Sequence, residues 1–162
     1  MHVFGIVGWK NSGKTGLMER LVAEFVSRGV KVSTIKHAHH DFEIDHEGRD
    51  SFRHRAAGAT EIAIVSGTRW AMIHELQGAD EPSLEEMLDK LNDPQLVLVE
   101  GFKFEGHSKI ICHRAANGAF DHKGVDAVAV ASDTDIEGIS VPCYNLDDTA
   151  RIADFISYHL GM

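Results

Sequence analysis

Apolar residues near the N-terminus follow first the pattern of a strand and then that of a helix. Those in residues 3–7 are branched or aromatic and end at a glycine-bearing loop, which predicts a buried strand. Over residues 17–26 apolar side chains recur every three to four positions, as on one helical face, and Gly29 predicts the end of that helix. An alternation over residues 30–35 predicts a second strand, which a right-handed crossover would place parallel to the first. The chain therefore opens as an α/β fold.

Later apolar segments continue this alternation to about seven strands and four helices. Residues 62–65 and 70–76 are separated by the turn 66–69, which predicts a β-hairpin toward an edge of the sheet. Ser83 and Glu86 form a capping box ahead of another helix. The remaining predicted elements are strands at residues 96–99, 110–111 and 127–131, and an amphipathic helix over about 147–160.

The size and composition of the chain limit what it can be. Its 162 residues, 43% of them hydrophobic, suit one compact domain over residues 1–162. The formal net charge of −9 has the wrong sign for binding nucleic acid or anionic lipid, so a bound phosphate would need a local site. No apolar stretch reaches the roughly 18 residues of a membrane span, and the N-terminus lacks the features of a signal peptide. We therefore expect a cytoplasmic protein with neither a nucleic-acid nor a membrane partner.

Residues 8–15 carry the strongest motif in the chain. The motif matches G-x-x-x-x-G-K-[ST] and reads Gly8-Trp9-Lys10-Asn11-Ser12-Gly13-Lys14-Thr15. Such a loop needs glycine because its backbone curls so closely around a diphosphate that a Cβ would clash. Lys14 is expected to reach the β- and γ-phosphates, and Thr15 to offer its hydroxyl to Mg2+. The predicted fold class is therefore a phosphate-loop nucleotide-binding α/β fold: a mostly parallel sheet flanked by helices, with a β-hairpin edge.

A second candidate for the same site follows the strand at residues 96–99. That strand ends in Glu100, as is typical of a strand whose terminal acid faces the Mg2+ of a nucleotide, usually through water. An ordinary surface acid at a strand end is the alternative. Lys103 is either a second phosphate-side cation or a solvated side chain. Charge distribution favours a nucleotide, because residues 1–40 contain six Lys or Arg against two acids on an otherwise acidic protein.

Residues 37–49 form a polar segment, and the sequence is helical again only from Asp50 to Gly58. Phosphate-loop proteins place a substrate contact, a metal-side acid or a nucleotide-sensing switch after the second strand. Five histidines lie between residues 37 and 54, and imidazole suits Zn, Ni and Cu. Neither regular ligand spacing nor a cysteine accompanies them, however. Hydrogen bonding within the loop, or to phosphate, is the alternative.

The predicted hairpin also bears on assembly. Trp70, Met72 and Ile73 are costly to leave in water on a sheet edge. A symmetric dimer that pairs this edge with its copy would satisfy the free backbone groups and bury the apolar side chains together. Coverage of the edge by the C-terminal helix within one chain is the alternative.

Taken together, these residues resemble the MobB family, the molybdopterin-guanine dinucleotide biosynthesis adaptor proteins, over nearly the whole chain. The most specific segments are the histidine segment at residues 35–41 and the Glu-Gly-Phe-Lys turn at 100–103. The resemblance implies a homodimeric protein that binds GTP and Mg2+ and has weak GTPase activity. It implies further that the chain assists the molybdenum cofactor guanylyltransferase, which attaches GMP to molybdopterin, and contacts molybdopterin-linked proteins. The chain would be a helper rather than the nucleotidyltransferase.

The family pattern, carried over residue by residue, implies a specific set of site residues. The nucleotide-binding positions are Gly8, Asn11, Ser12, Gly13, Lys14, Thr15 and Gly16. Thr15 and Glu100 would serve Mg2+, and either Asp41 or Asp45 would order the hydrolytic water or the metal. The chain departs from the family at Gly16, where a second hydroxyl residue commonly follows the threonine. Loss of that hydroxyl removes a possible contact to the α-phosphate and implies lower affinity.

Without the resemblance, the residues predict only an Mg-nucleotide-binding α/β protein, either a phosphohydrolase or a kinase. A small-molecule kinase would use Asp41 or Asp45 as its base, although an arginine-bearing lid is not obvious. A GTP-driven metal chaperone would use the histidines. Guanine selectivity does not follow from the sequence, because no Asn-Lys-x-Asp segment is clear, and Asp133 after an apolar strand is the candidate.

Overall fold

The structure is a computed structural model that describes residues 1–38 and 42–162. Within these residues lie eight strands, four α-helices and one 3-10 turn. In chain order they are β1 (His2–Gly8), α1 (Lys14–Ser27), β2 (Val32–Lys36), α2 (Asp50–Ala56), β3 (Glu61–Val65), β4 (Trp70–His74), α3 (Leu84–Asp89), β5 (Leu96–Glu100), β6 (Lys109–His113), the 3-10 turn (Ala115–Asn117), β7 (Ala129–Ser132), β8 (Cys143–Asn145) and α4 (Thr149–Leu160). None of these helices is long and apolar enough to cross a membrane.

The described residues form two compact units. The larger unit combines Met1–His37 with Leu84–Met162, and the smaller unit is Ala38–Ser83, inserted in the chain between β2 and α3. The larger unit holds a six-stranded sheet, and the smaller one holds α2 and the hairpin of β3 and β4. The single domain expected over residues 1–162 remains a prediction.

The six-stranded sheet has the order β2-β5-β1-β6-β7-β8, and its neighbouring strands are parallel. The predicted second strand is parallel to the first, as expected, and β5 lies between them. Parallel pairing brings the carboxyl ends of the strands to one side of the sheet. We call this side the carboxyl edge and define it by Gly8, Glu100, His113 and Ser132, the last residues of β1, β5, β6 and β7.

Alternate residues of the central strands face two different cores, because successive side chains of a strand point to opposite faces. Phe4 and Ile6 of β1 pack in a cluster that includes residues of α1 and α4. Val7, on the opposite face, packs with Ile111 and Val125. Burial on both faces is typical of a central parallel strand, and it explains why these segments are apolar throughout.

The hairpin is present as predicted, and it forms a sheet of its own rather than extending the six-stranded one. In the described part of the chain, β3 and β4 pair only with each other and form a separate antiparallel sheet. The physical reason is local: five register pairs, from Glu61 with His74 to Val65 with Trp70, satisfy the facing backbone groups of both strands. The tight turn between them closes the register, with Ser66 N–H donating to Arg69 O at 2.9 Å.

His107, a half-buried histidine of the larger unit, has both ring nitrogens buried without hydrogen-bond partners in the described residues. His107 packs against Gly5, where a Cβ would lie only 2.6 Å from the His107 Nε2 atom. Neither ring nitrogen has a hydrogen-bond partner in the described residues. Burial, reinforced by the charge of Lys109, lowers the pKa of His107 from 6.5 to about 4. The ring is therefore neutral in the folded protein near pH 7.

This histidine predicts a loss of stability in mild acid. Because its folded-state pKa lies below its unfolded-state value, the unfolded chain binds the proton first, and stability falls as the pH drops from 6.5 through about 4. The His107→Phe variant cannot take up this proton and should show a weaker decline. Denaturant unfolding across this pH range, with exposed His54→Phe as the control, measures the difference. Identical pH dependence in wild type and His107→Phe would contradict the assignment.

Candidate functional site

The motif at residues 8–15 forms the connection from β1 to α1 at the carboxyl edge. Gly8 and Gly13 have φ values of +149° and +91°, which favour glycine. A Cβ on Gly8 would lie 2.6 Å from the Cys112 carbonyl oxygen, and one on Gly13 would lie 2.7 Å from Leu146 Cδ2. Both positions therefore exclude a side chain. Since Gly13 caps α1 without a side chain, the first helical N–H groups have no side-chain acceptor at the cap.

Lys14 lies across this loop. Its Nζ donates a hydrogen bond to the Trp9 carbonyl oxygen at 2.7 Å, so the ammonium closes the curve of the backbone. Burial lowers the pKa of Lys14, while the negative charge of Glu100 raises it. Asn11, between them in the loop, adopts a left-handed conformation with φ of +62°.

Ser12 carries an unsatisfied buried hydroxyl in the middle of the loop. Its residue is 2% exposed, and its Oγ has no hydrogen-bond partner in the described residues. A buried hydroxyl without a partner costs free energy, so an oxygen of this kind indicates a missing polar ligand. The same atom would lie 2.5 Å from a Cβ on Gly8, which places it inside the curve that the glycines leave open.

Thr15 and Gly16, the next residues of interest, differ because Thr15 carries a hydroxyl and Gly16 has no side chain. Thr15, in the first turn of α1, is exposed. At Gly16 an added Cβ would meet only Arg20 Nη1, at 3.5 Å, which is ordinary contact distance. The fold therefore does not require glycine at this position, in contrast to Gly8 and Gly13.

Glu100 lies at the carboxyl edge between two strands. Its Cα is in register with Ile6 of β1 and with Lys36 of β2. The Glu100 side chain is largely buried, and its Oε2 lies 3.9 Å from Lys36 Nζ. Its effect on the pKa of Lys14 means that the two predicted site charges act on each other. Sequence-predicted residues 8–16 and Glu100 thus meet at one edge of one unit.

Trp9 is a feature of the site that the sequence did not reveal. Lys103 Nζ lies 5.3 Å from the centroid of its ring, and Lys123 Nζ lies 5.1 Å from it. Both distances are within the range of cation–π attraction. The indole therefore holds two lysines from distant parts of the sequence beside the loop. An aromatic residue within the variable positions of the motif was the only signal available.

The structure describes only one of the two remaining catalytic candidates, Asp45. Asp45 belongs to the smaller unit, where its buried carboxylate pairs with Arg55 at 2.9 Å. Arg55 also lies over the ring of Phe52, 5.0 Å from its centroid. Asp41 lies outside the described residues, so its predicted role stays a prediction. In residues 1–38 and 42–162, no group of three His, Cys, Asp or Glu is arranged to hold a metal ion.

Asp133 follows β7, as predicted, but one of its carboxylate oxygens accepts a hydrogen bond from the protein backbone. Its Oδ1 accepts a hydrogen bond from the Ala115 N–H at 2.8 Å. Asp133 thereby fixes the start of the 3-10 turn that follows β6. The same turn contacts the glycine-rich loop, because Asn117 Nδ2 donates to the Lys10 carbonyl oxygen at 3.2 Å.

Comparison with known proteins gives one consistent result. Residues 3–133 match the family model of MobB, described as molybdopterin guanine dinucleotide synthesis protein B. The chain is 33% identical to a molybdopterin-guanine dinucleotide biosynthesis adapter protein of Escherichia coli K12, over 95% of this chain and 90% of that protein. It is 37% identical to the adapter protein of Haemophilus influenzae, over 95% of this chain and 86% of the relative.

Solved structures have the same fold. A MobB homolog from Bacillus stearothermophilus superposes with a TM-score of 0.73 at 26% identity, covering 99% of each chain. Bacillus subtilis MobB superposes with a TM-score of 0.80 at 23% identity, covering 99% of this chain and 98% of the other.

Proposed function

The chain belongs to the MobB family, and from this membership we propose that it is an adapter in molybdopterin guanine dinucleotide biosynthesis that binds GTP with Mg2+. In this proposal it hydrolyses GTP slowly and assists a guanylyltransferase that attaches GMP to molybdopterin. Its partners are a second copy of the chain, the guanylyltransferase and molybdopterin-linked proteins.

The observation that carries the nucleotide proposal is the unsatisfied Ser12 hydroxyl inside the glycine loop. It lies 2.5 Å from where a Cβ on Gly8 would be, in the loop that also holds the Lys14 ammonium and leads into α1. Backbone N–H groups, one hydroxyl and one cation are the donors that bind a polyphosphate. The residues present therefore fit the phosphates of a nucleotide.

Thr15 and Glu100 are the residues that would hold Mg2+. A hydroxyl and a carboxylate are oxygen ligands, which this hard cation prefers, and it keeps several waters besides. When bound, Mg2+ neutralises charge on the phosphates. Glu100 would act through water, since its side chain is largely buried and its Oε2 lies 3.9 Å from Lys36 Nζ.

Slow turnover agrees with the state of Asp45. Its carboxylate is paired with Arg55 at 2.9 Å, so it is already engaged by a cation within the smaller unit. An adapter that uses nucleotide for assembly needs binding more than rapid hydrolysis. Asp45 is therefore proposed to order a water or the metal rather than to drive fast chemistry.

Nucleotide dependence is the experiment that separates this function from its rival. Preferred binding of GTP, slow Mg-dependent turnover and no phosphorylated acceptor are expected. Fast ATP consumption that depends on a metabolite would contradict the adapter proposal and indicate a small-molecule kinase.

Replacing Glu100 by glutamine is expected to retain nucleotide and lose most Mg-dependent turnover, about 100-fold or more in kcat. The amide keeps the shape of the side chain and removes the charge that orders the metal-bound water. Single-turnover hydrolysis at saturating GTP and Mg2+ measures the effect, with exposed Glu19→Gln on α1 as the control. Wild-type hydrolysis by the Glu100→Gln variant would leave Glu100 without this role.

Replacing Gly16 by threonine is expected to tighten GTP binding several-fold, because the position accepts a side chain and a hydroxyl can contact the α-phosphate. The Gly16→Ala variant is the matched control. Helix propensity should stabilise α1 by about 1 kcal/mol with alanine and by only about a third of that with threonine, and only the threonine should raise affinity. Equal affinities of the two variants, measured by calorimetry, would contradict the hydroxyl contact.

A further inference from the structure

A cavity of about 300 Å3 opens at the carboxyl ends of β6 and β7, within the larger unit. It is lined on one side by an aromatic wall of His113, the last residue of β6, and Phe120, and on the other by Thr134, Asp135 and Glu137, which follow β7. Its volume lies in the range of small-molecule sites. The function proposed above does not use any of these five residues.

His113 shows that the cavity is suited to a polar ligand. The residue is only 8% exposed and lines the cavity, yet its side chain makes no hydrogen bond in residues 1–38 and 42–162. Its ring packs edge-on against Phe120, with 5.5 Å between the ring centroids. A neutral imidazole has one donor and one acceptor, and a buried polar ring normally has a partner. The ring nitrogens of His113 are not fully buried, so they are open to a polar group of a ligand in the cavity.

The opposite wall offers acceptors. Asp135 and Glu137 form no hydrogen bond or ion pair through their side chains in the part of the chain that the structure describes. The turn that carries them is held where Thr134 N–H donates to Ser132 Oγ at 3.2 Å. A carboxylate binds two adjacent N–H donors in a bidentate manner. The cavity thus combines an aromatic side with carboxylate acceptors for a ring that carries adjacent donors.

The segment after β6, which carries Phe120, contacts the glycine-rich loop. Arg114 Nε would lie 3.0 Å from a Cβ on Gly13. Asn117 Nδ2 donates a hydrogen bond to the Lys10 carbonyl oxygen at 3.2 Å. Gly8, at the start of the loop, is in register with Cys112, the residue before His113. The segment that forms the aromatic wall therefore touches the loop at both ends of the motif.

We propose that this cavity binds a 2-amino-4-oxopyrimidine ring, the edge that guanine and pterins share, with Asp135 and Glu137 accepting its ring N–H and amino group. Adenine presents an acceptor where guanine has the ring N–H, so a carboxylate there rejects it. His113 and Phe120 cover the ring. The guanine form of this proposal rests on the proposed nucleotide site at residues 8–15, whereas the pterin form does not.

The test measures ring recognition separately from phosphate binding. Calorimetry with GTP, ITP and ATP compares bases on the same triphosphate, since ITP lacks the 2-amino group. Fluorescence of 6-hydroxymethylpterin reports binding of the ring without a triphosphate. The variants are Asp135→Asn and Glu137→Gln, which keep side-chain shape, and exposed Glu19→Gln is the control.

For guanine, wild type should prefer GTP over ITP by about tenfold, and at least one variant should lose this preference without weaker ITP binding. For a pterin, wild type should bind the probe, and a variant should lose about tenfold in affinity with nucleotides unaffected. The proposal would be overturned if wild type neither preferred GTP over ITP nor bound the pterin probe. It would also be overturned if both variants kept the GTP preference and the pterin affinity of wild type. Failure of every triphosphate to bind wild type would instead reject the nucleotide site and the guanine form, while pterin binding would still be decided by its own measurement.

Discussion

Replacing Lys14 by alanine is expected to lower the affinity for GTP by about 100-fold and to leave the fold intact. The ammonium is half-buried at the glycine loop, and its one hydrogen bond in the described structure is to the Trp9 carbonyl at 2.7 Å. Hydrogen bonds to charged groups contribute about 1.5–3 kcal/mol each, and about 1.4 kcal/mol corresponds to tenfold in affinity. Loss of a cation that contacts two phosphates therefore gives an effect of this size.

Lys10→Ala is the matched control, since Lys10 is an exposed lysine of the same loop. Its side chain makes no hydrogen bond or ion pair in the described residues, so its removal should change GTP affinity only a few-fold through long-range charge. Calorimetry measures both variants, and thermal unfolding confirms that they are folded. Unchanged GTP affinity in the Lys14→Ala variant would remove the assignment of residues 8–15.

The elements of the main sheet could be predicted from the sequence because their apolar runs are buried on both faces. Residues 96–99 form most of β5, and the helix expected from the spacing over residues 17–26 is α1. β8 was not predicted, since it has three residues and two of them, Cys143 and Asn145, are exposed. A short edge strand depends on its neighbour β7 more than on its own pattern.

Site residues could be predicted where the chemistry requires a fixed sequence spacing or a position at a strand end. They could not be predicted where a side chain acquires its contact partner only through folding. The motif at residues 8–15 and Glu100 could be placed because each follows a recognisable strand. The contacts of Trp9 with Lys103 and Lys123 join residues far apart in sequence, which a local pattern does not reveal. Asp45 and Arg55 are only ten residues apart, but their pairing depends on the irregular segment before α2, for which no periodic pattern exists.

One hairpin face is buried in part and the other is exposed, and this changes how the predicted role of the hairpin in assembly is tested. Register pairs place Ile62 opposite Ile73 on one face, and Ile62 is only 6% exposed. Val65 pairs with Trp70 on the other face, where they are 79% and 71% exposed. Met72 shares that face because alternate residues of a strand point the same way. An acid at Ile73 would therefore disturb the smaller unit itself.

Met72→Asp is the better test of the proposed homodimer. We expect wild type to be a dimer at micromolar concentration and Met72→Asp to weaken association by about 100-fold, because burying an unpaired carboxylate costs several kcal/mol. Thr68→Asp adds the same charge in the exposed turn of the hairpin and should leave the dimer intact. Analytical ultracentrifugation measures the mass of all three proteins. A monomeric wild type would reject the dimer, and a dimeric Met72→Asp variant would reject this face as its interface, since a patch of Val65, Trp70 and Met72 cannot accept a charge while it is buried.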